Sequence, residues 1–531
     1  MKMKKWMAVS MGTIMISSLL AGCGDTGNKP EAEKPTATSS NVTQSGMPIV
    51  KEPVTIKVFS GKRFASQNLN DIMLWNEYKK LSNVNVVWND VNREQLIEKR
   101  NIVLASGDYP DAFYGSRFSS TELLKYGQQG VFVKLNDLID KYAPNLKRIL
   151  EQNPDIKKAI TLPDGNIYGL PTLTDPSFEA MRSGSFMWYQ KSLLDKLGVL
   201  EPKTTDELYS FLKQVKEKEP NLIPLGGSKI DSLIPLIKGS WGLGNNGASH
   251  PNVDTDPKSG ALRFIPVSTE YKEMLQYINK LYSEGLLDKE TFSANTDQMI
   301  ANGTQGKYAV TPGYNPEATF RQKGYVGGLT LKGPHGDQLY ANVGSLVGSL
   351  GNFAITKNNK NPEATMRWVD YLYSDEGAKM FFMGFENVTY KKTADGQYEY
   401  VDDIKNNPKG LTQDQAVGQY LTWPGGGYPG ILKQQFFKGS EGMPASVEAV
   451  KKVNAQFVKE VWPPFTYTPE EADKLSALQT DINTYVTEMQ AKFITGNVPF
   501  TEWDNYTAKL QKMGLDEYMK IYKAAYDRYK K

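Results

Sequence analysis

The chain has 531 residues, 40% of them apolar and 23% charged, with one Cys and two His. That is enough apolar material for two large domains or about three smaller ones. It is too little Cys and His for a disulfide framework, a Cys-built zinc site or a His-built metal centre. The formal charge of +3 is carried by Lys2, Lys4 and Lys5, so the remainder is neutral and gives no electrostatic case for nucleic acid.

After that basic start, residues 6–21 are apolar or small throughout. The run is too short to span a bilayer comfortably and fits the hydrophobic part of an export signal. It ends in Leu20-Ala21-Gly22-Cys23, which resembles the lipobox of bacterial lipoproteins. The resemblance implies a signal peptide over residues 1–22, cleavage before Cys23, and acyl chains such as palmitate on that residue. The alternatives are a plain secretion signal with an incidental Cys, or a short anchor helix. Acyl chains contribute about 0.8 kcal/mol per buried CH₂, so several on one Cys hold a protein at a membrane without a spanning helix. Residues 23–49 are rich in Thr, Ser, Pro, Glu and Lys and lack aromatics, a composition that does not fold. A flexible tether of this length reaches roughly 25–30 Å. The expected location is the extracellular face of the cell membrane. No Walker loop occurs.

The body follows in alternating elements. Residues 54–59 alternate as a strand, residues 67–81 place Ile72, Trp75, Tyr78 and Leu81 on one helix face, and residues 84–91 form a second strand. A helix over 93–106 closes at Gly107, and Asp111 to Gly115 is a short strand leaving into a Gly/Ser turn. This βαβαβ order predicts a parallel, doubly wound sheet, whose ligands sit outside the carboxyl ends of its strands. Further on, a strand is expected over 184–189 and helices over 205–218, 270–284 and 362–382. The last third is expected to be helical, over 446–462, 469–493 and 502–529.

Several local patterns then fall in order. They are Ala105-Ser106-Gly107-Asp108-Tyr109-Pro110-Asp111, Gly165-Asn166-Ile167-Tyr168-Gly169-Leu170-Pro171, residues 188–198 around Tyr189-Gln190-Lys191, Gly306-Lys307-Tyr308-Ala309-Val310, Asn361-Pro362-Glu363-Ala364 and Tyr373-Ser374-Asp375-Glu376-Gly377. Together they resemble the extracellular solute-binding proteins of carbohydrate ABC importers, the maltose-binding-like group. The larger Gram-positive lipoproteins of oligosaccharide uptake are the nearest type. The resemblance implies an α/β, two-lobed periplasmic-binding-protein-like (type II) fold with a hinge, plus a helical C-terminal part. Lobe one is expected over 50–170 with about 351–400, and lobe two over 171–350 with about 401–531. The third crossing between lobes is expected near 390–410. Implied partners are an oligosaccharide and ABC permease subunits, and a monomer is expected.

A sugar site needs planar polar groups for paired hydrogen bonds and rings for stacking. Tyr114 and Arg117, after the third strand, are candidate contacts, as are Arg63 and Asn68 after the first. Asp175 and Glu179 follow the first crossing, and carboxylates accept two hydroxyls at once. Trp241 stands in a small-residue loop, Tyr314 matches the family's strand-end aromatic of lobe two, and Trp423 precedes the Gly425–Gly427 run. Each has a structural alternative: Tyr114 closing the sheet, Arg117 in a surface ion pair, Asp175 or Glu179 as a cap. Trp75, Trp188, Trp368 and Trp462 are expected in cores. No cofactor is expected. Asp254-Thr255-Asp256 begins like a calcium loop but lacks the Gly and Glu at its sixth and twelfth positions. Two other classes stay open, a lipid-anchored glycoside hydrolase and a sensor or adaptor lipoprotein. The first needs a carboxylate pair, and 59 acids do not exclude one.

Overall fold

The first strands follow from alternation that fades into full burial. In β1 (Val54–Lys62), Ile56 and Val58 point inward while Thr55 and Lys57 are exposed, and Val58, Phe59 and Ser60 are then buried in succession. Consecutive burial marks a strand covered on both faces. β1 pairs in parallel with β2 (Val84–Asn92) and β3 (Ala112–Phe118). The computed structural model describes residues 41–62, 68–293, 296–411, 413–422 and 428–531. Cys23, its signal, the tether as far as residue 40, Arg63 and Trp423 lie outside the described residues. The expected tether over 23–49 is too long at its end: Val42 bridges Val50, and Ile49 is fully buried with its N–H donating to the Ser82 carbonyl (3.0 Å), so residues 41–49 already belong to the folded body.

Next along the chain come β4 (Thr172–Thr174), β5 (Phe186–Gln190), β6 (Ile223–Leu225) and the hairpin of β7 (Val253–Thr255) and β8 (Leu262–Phe264). They are followed by β9 (Tyr308–Gly313), β10 (Tyr325–Gly327), β11 (Gly351–Ile355), the hairpin of β12 (Tyr390–Lys392) and β13 (Tyr398–Tyr400), and β14 (Gly430–Leu432). Two four-stranded sheets result, in the orders β11-β3-β1-β2 and β10-β5-β9-β6. Each contains one strand antiparallel to its central neighbours. β11 runs against β3, and β5 runs against both β9 and β10. Those two strands are the ones that enter their sheet directly after a crossing from the other.

The crossings lie side by side. β4 pairs in parallel with β14, and Leu173 and Leu170 bridge Val347 and Phe353. A buried relay ties all three segments: Asn352 Nδ2 donates to Thr172 Oγ1 (2.6 Å), whose hydroxyl donates to the Tyr428 carbonyl (2.6 Å). The third segment is thus at Gly430–Leu432, later than the 390–410 expected. Tyr420 is still beside the helix that joins β1 to β2, where Leu74 N–H donates to its carbonyl (3.1 Å). A three-residue Gly-Ile-Leu strand carries no sequence signal of its own.

Helix limits depart from periodicity where caps intervene. The pattern over 362–382 is broken into Pro362–Asp370 and Asp375–Met383, because the Ser374 hydroxyl accepts from Gly377 N–H and starts a new helix. The pattern over 446–462 yields only Pro444–Val453. The pattern over 502–529 is split at Gly514, whose φ of 94° only glycine adopts easily.

The C-terminal helices pack on the second sheet's body. Tyr522, in Leu515–Lys530, donates its hydroxyl to buried His250 Nδ1, and His250 Nε2–H donates to the Pro463 carbonyl (2.7 Å). Burial lowers His250 to about 4, whereas Glu273 raises exposed His335. The unfolded chain takes up a proton near the ordinary histidine value, so the stability His250 provides is complete above pH 6.5 and is lost towards pH 4, by up to about 3 kcal/mol. Asp370 opposes this. Burial raises it to about 6, so its share is present below the ordinary aspartate value and lost as pH rises through 6. A melting curve mixes the two. Proton NMR of the two imidazoles separates them, and at pH 5.5 His335 is expected charged and His250 neutral.

Candidate functional site

The carboxyl ends of the strands are where the loops carry polar side chains. After β1, Asn70 docks on β2 as a strand would, with Trp88 N–H donating to Asn70 Oδ1 (2.9 Å) and Asn70 Nδ2 donating to the Trp88 carbonyl (3.0 Å). Asp90, at the end of β2, accepts from Leu69 N–H (2.8 Å) and lies 3.4 Å from Lys62 Nζ. Asn68 is exposed on this rim and accepts from Asn70.

β3 ends in a bulge. Between the pairs Tyr114↔Phe353 and Phe118↔Gly351, β3 has three residues and β11 one. Gly115 (φ 62°) and Arg117 (φ 54°) are both left-handed there. A left-handed arginine costs roughly 1–2 kcal/mol, and bulges re-aim side chains near functional sites. Arg117 is turned out to solvent while Ser116 is buried. The brace is buried Arg100. Its guanidinium donates to the Ser116 carbonyl (2.8 Å), pairs with Glu122 and stacks 4.3 Å over Phe118. Glu122 in turn caps the helix that follows, through Ser119.

Tyr114 requires a correction. Its ring is buried, edge-on to Trp88 (5.3 Å) and Trp75 (5.8 Å), in a cluster that includes Trp368. It is core, and its buried hydroxyl has no hydrogen-bond partner among the described residues. Tyr114→Phe is therefore expected to leave stability unchanged or raise it by about 1 kcal/mol in urea unfolding, with ligand affinity unchanged within twofold. A tenfold affinity loss would return Tyr114 to the site.

Trp241 is also core rather than displayed. It ends a tight helical turn, 3% exposed, against Tyr277 (5.4 Å). The small residues around it serve close backbone packing. A Cβ on Gly239 would lie 1.9 Å from the Leu339 carbonyl oxygen, and one on Gly244 would lie 2.4 Å from Lys238 Cε.

The acids after the first crossing are engaged. Asp175 accepts from Ser177 N–H (3.0 Å) and hydroxyl (2.6 Å), and lies 3.6 Å from Lys433, which also pairs with Asp375. It borders a cavity of about 690 Å³ shared with Asn145, Arg148 and Thr174, beside the crossings. Glu179 accepts from Asn454 Nδ2 (3.1 Å). Asp254 is held by Arg263 (2.8 and 2.9 Å) and Gly244 N–H (2.8 Å), contacts that occupy its oxygens.

Tyr314 stands apart. It follows β9, is 54% exposed, and is the only exposed aromatic side chain among the described residues. Its loop is stitched to the start of the Pro444–Val453 helix. Asn315 N–H donates to Ser440 Oγ (3.3 Å), and Asn315 Nδ2 donates to Ser446 Oγ (3.1 Å), whose hydroxyl donates to the Ser440 carbonyl (2.8 Å). This places Glu441, absent from the sequence-based candidates, beside Tyr314. Its charge raises the tyrosine hydroxyl pKa after burial does so.

The profile described as bacterial extracellular solute-binding protein matches residues 71–379. The chain belongs to this family. It is 28% identical to the fructooligosaccharide ABC transporter substrate-binding protein FusA of Streptococcus pneumoniae, over 99% of each chain. It is 25% identical to the polygalacturonan/rhamnogalacturonan-binding protein YtcQ of Bacillus subtilis, over 74% of this chain and 75% of that one. The solved structure of FusA in complex with kestose superposes with a TM-score of 0.71 at 26% identity, covering 90% of this chain and 99% of that one. The two-lobed α/β architecture with a helical C-terminal part is that of the family. FusA is named for transport, YtcQ for binding and the family for solute binding, which sets the hydrolase alternative aside.

Proposed function

We infer that this chain captures an oligosaccharide for an ABC importer by closing two lobes on it, held as a monomer at the extracellular face of the cell membrane through lipid on Cys23. Lobe one is residues 50–170 with 351–429, lobe two is residues 175–346 with 433–531, and the three crossing segments are the hinge. Tyr314 carries this reading. An exposed ring at a strand's carboxyl end, held by buried Asn315 and Ser446, is a fixed platform for the C–H face of a sugar. Arg117 and Asn68 are the contacts of the other lobe. Arg63 and Trp423 join them on sequence grounds. The likeness over nearly the whole chain to FusA, which is named for fructooligosaccharide transport, supports the same class of ligand.

Thermal-shift screening against fructo-, gluco- and galacto-oligosaccharides tests this. A binder raises its melting temperature by mass action and releases no reducing ends. No shift with any glycan, or turnover of one, would overturn it. Arg117→Gly separates site from scaffold. It is expected to keep or raise stability by up to about 1 kcal/mol, since glycine accepts the left-handed backbone, while ligand affinity falls about tenfold, a loss of ~1.4 kcal/mol. Unchanged affinity would remove Arg117 from the site.

A further inference from the structure

Glu441 is a half-buried carboxylate without an ion-pair partner among the described residues. It lies in the tight turn Ser440–Gly442, at the point where the Tyr314 loop is sewn to the Pro444–Val453 helix. Burial pushes its pKa up, and the only group drawing it back is its own amide N–H. No cation among the described residues acts on it, and half-buried Lys438, three residues before it, is drawn to Glu399 instead. An unpaired charge next to an exposed aromatic ring is costly to the fold unless a ligand uses it.

Building on the cleft as a glycan site, we propose that Glu441 is a specificity-determining residue that makes this a site for uncharged oligosaccharides. Its two oxygens accept hydroxyls of the sugar residue stacked on Tyr314. Such charge-assisted bonds are roughly twice as strong as neutral ones. A hydroxyl-bearing sugar supplies the donors the carboxylate lacks. A uronate in the same place brings a second negative charge against Glu441, which has no ion-pair partner among the described residues, and like charges in contact are rejected. Arg117, offering a donor fork from the other lobe, suits the same ligand, since hydroxyls accept as well as donate.

Calorimetric titration of the wild type, Glu441→Gln and Tyr314→Ala tests this. The probes are neutral fructo-, gluco- and galacto-oligosaccharides of three to five residues, and trigalacturonate. The wild type is expected to bind a neutral probe at least a hundredfold more tightly than trigalacturonate. Glu441→Gln is expected to weaken the neutral probe at least tenfold and to narrow that ratio at least tenfold. Its melting temperature should stay level or rise, because an unpaired half-buried charge has gone. The proposal is overturned if trigalacturonate binds the wild type as well as neutral probes do. It is also overturned if Glu441→Gln leaves both affinities intact while Tyr314→Ala abolishes binding, an outcome that leaves the glycan site standing. Failure of every probe on the wild type overturns both.

Discussion

Arg100→Met is expected to lower unfolding free energy by about 3 kcal/mol and to weaken ligand binding at least tenfold. The side chain is 1% exposed and does three things at once: it satisfies the Ser116 carbonyl, pairs with Glu122 and covers Phe118. Methionine keeps the cover over Phe118 but leaves the carbonyl without a donor and the glutamate without its partner. Removing one member of a buried pair typically costs 3–5 kcal/mol. Glu122 is 31% exposed and regains some water, so the lower end applies. The affinity loss has a different origin. Nothing then holds the bulge in which Gly115 and Arg117 are left-handed, and the strand relaxes towards regular pairing with β11. Urea unfolding and titration on one preparation check both numbers. Native stability in Arg100→Met would show that the bulge needs no brace.

Gly239→Ala is expected to be still more damaging, at 3 kcal/mol or more, with affinity unchanged in whatever fraction folds. The added methyl meets the Leu339 carbonyl oxygen at 1.9 Å, a backbone atom that cannot swing aside. The two segments must part, which breaks the Leu339 N–H to Gly239 carbonyl bond (3.2 Å). It also disturbs neighbouring Tyr340, whose ring stacks on Phe457 (5.6 Å). Overpacking costs 1–3 kcal/mol in ordinary cores and more against fixed backbone. A wild-type melting curve for this variant would mean that the loop around Trp241 yields easily, as a ligand loop would.

These two variants mark where sequence reasoning stopped. Strand β1 and its neighbours were legible because their apolar residues alternate and then run together, which is a direct imprint of sheet burial. Tyr314 was legible through its match to the family's strand-end aromatic, and it does stand exposed after β9. Tyr114 and Arg117 belong to the same strand end, yet one is core and the other displayed, and only the bulge decides between them. Gly115 was its single trace, since an isolated glycine in a strand often marks a bulge. Trp241 misled because glycines that permit close backbone approach look in sequence like glycines that loosen a loop. Glu441 could not be singled out among 59 acids, because its character comes from the Asn315–Ser446 stitch, a contact between residues 131 positions apart. The third crossing escaped for the same reason, being three ordinary residues made into a strand by β4.

The most direct measurement is calorimetric titration of one neutral oligosaccharide into the wild type and Tyr314→Ala side by side. Saturable one-to-one binding, weakened at least tenfold by the loss of the ring, is the expected result. Equal affinity in both proteins, or no heat from any oligosaccharide, would contradict the account.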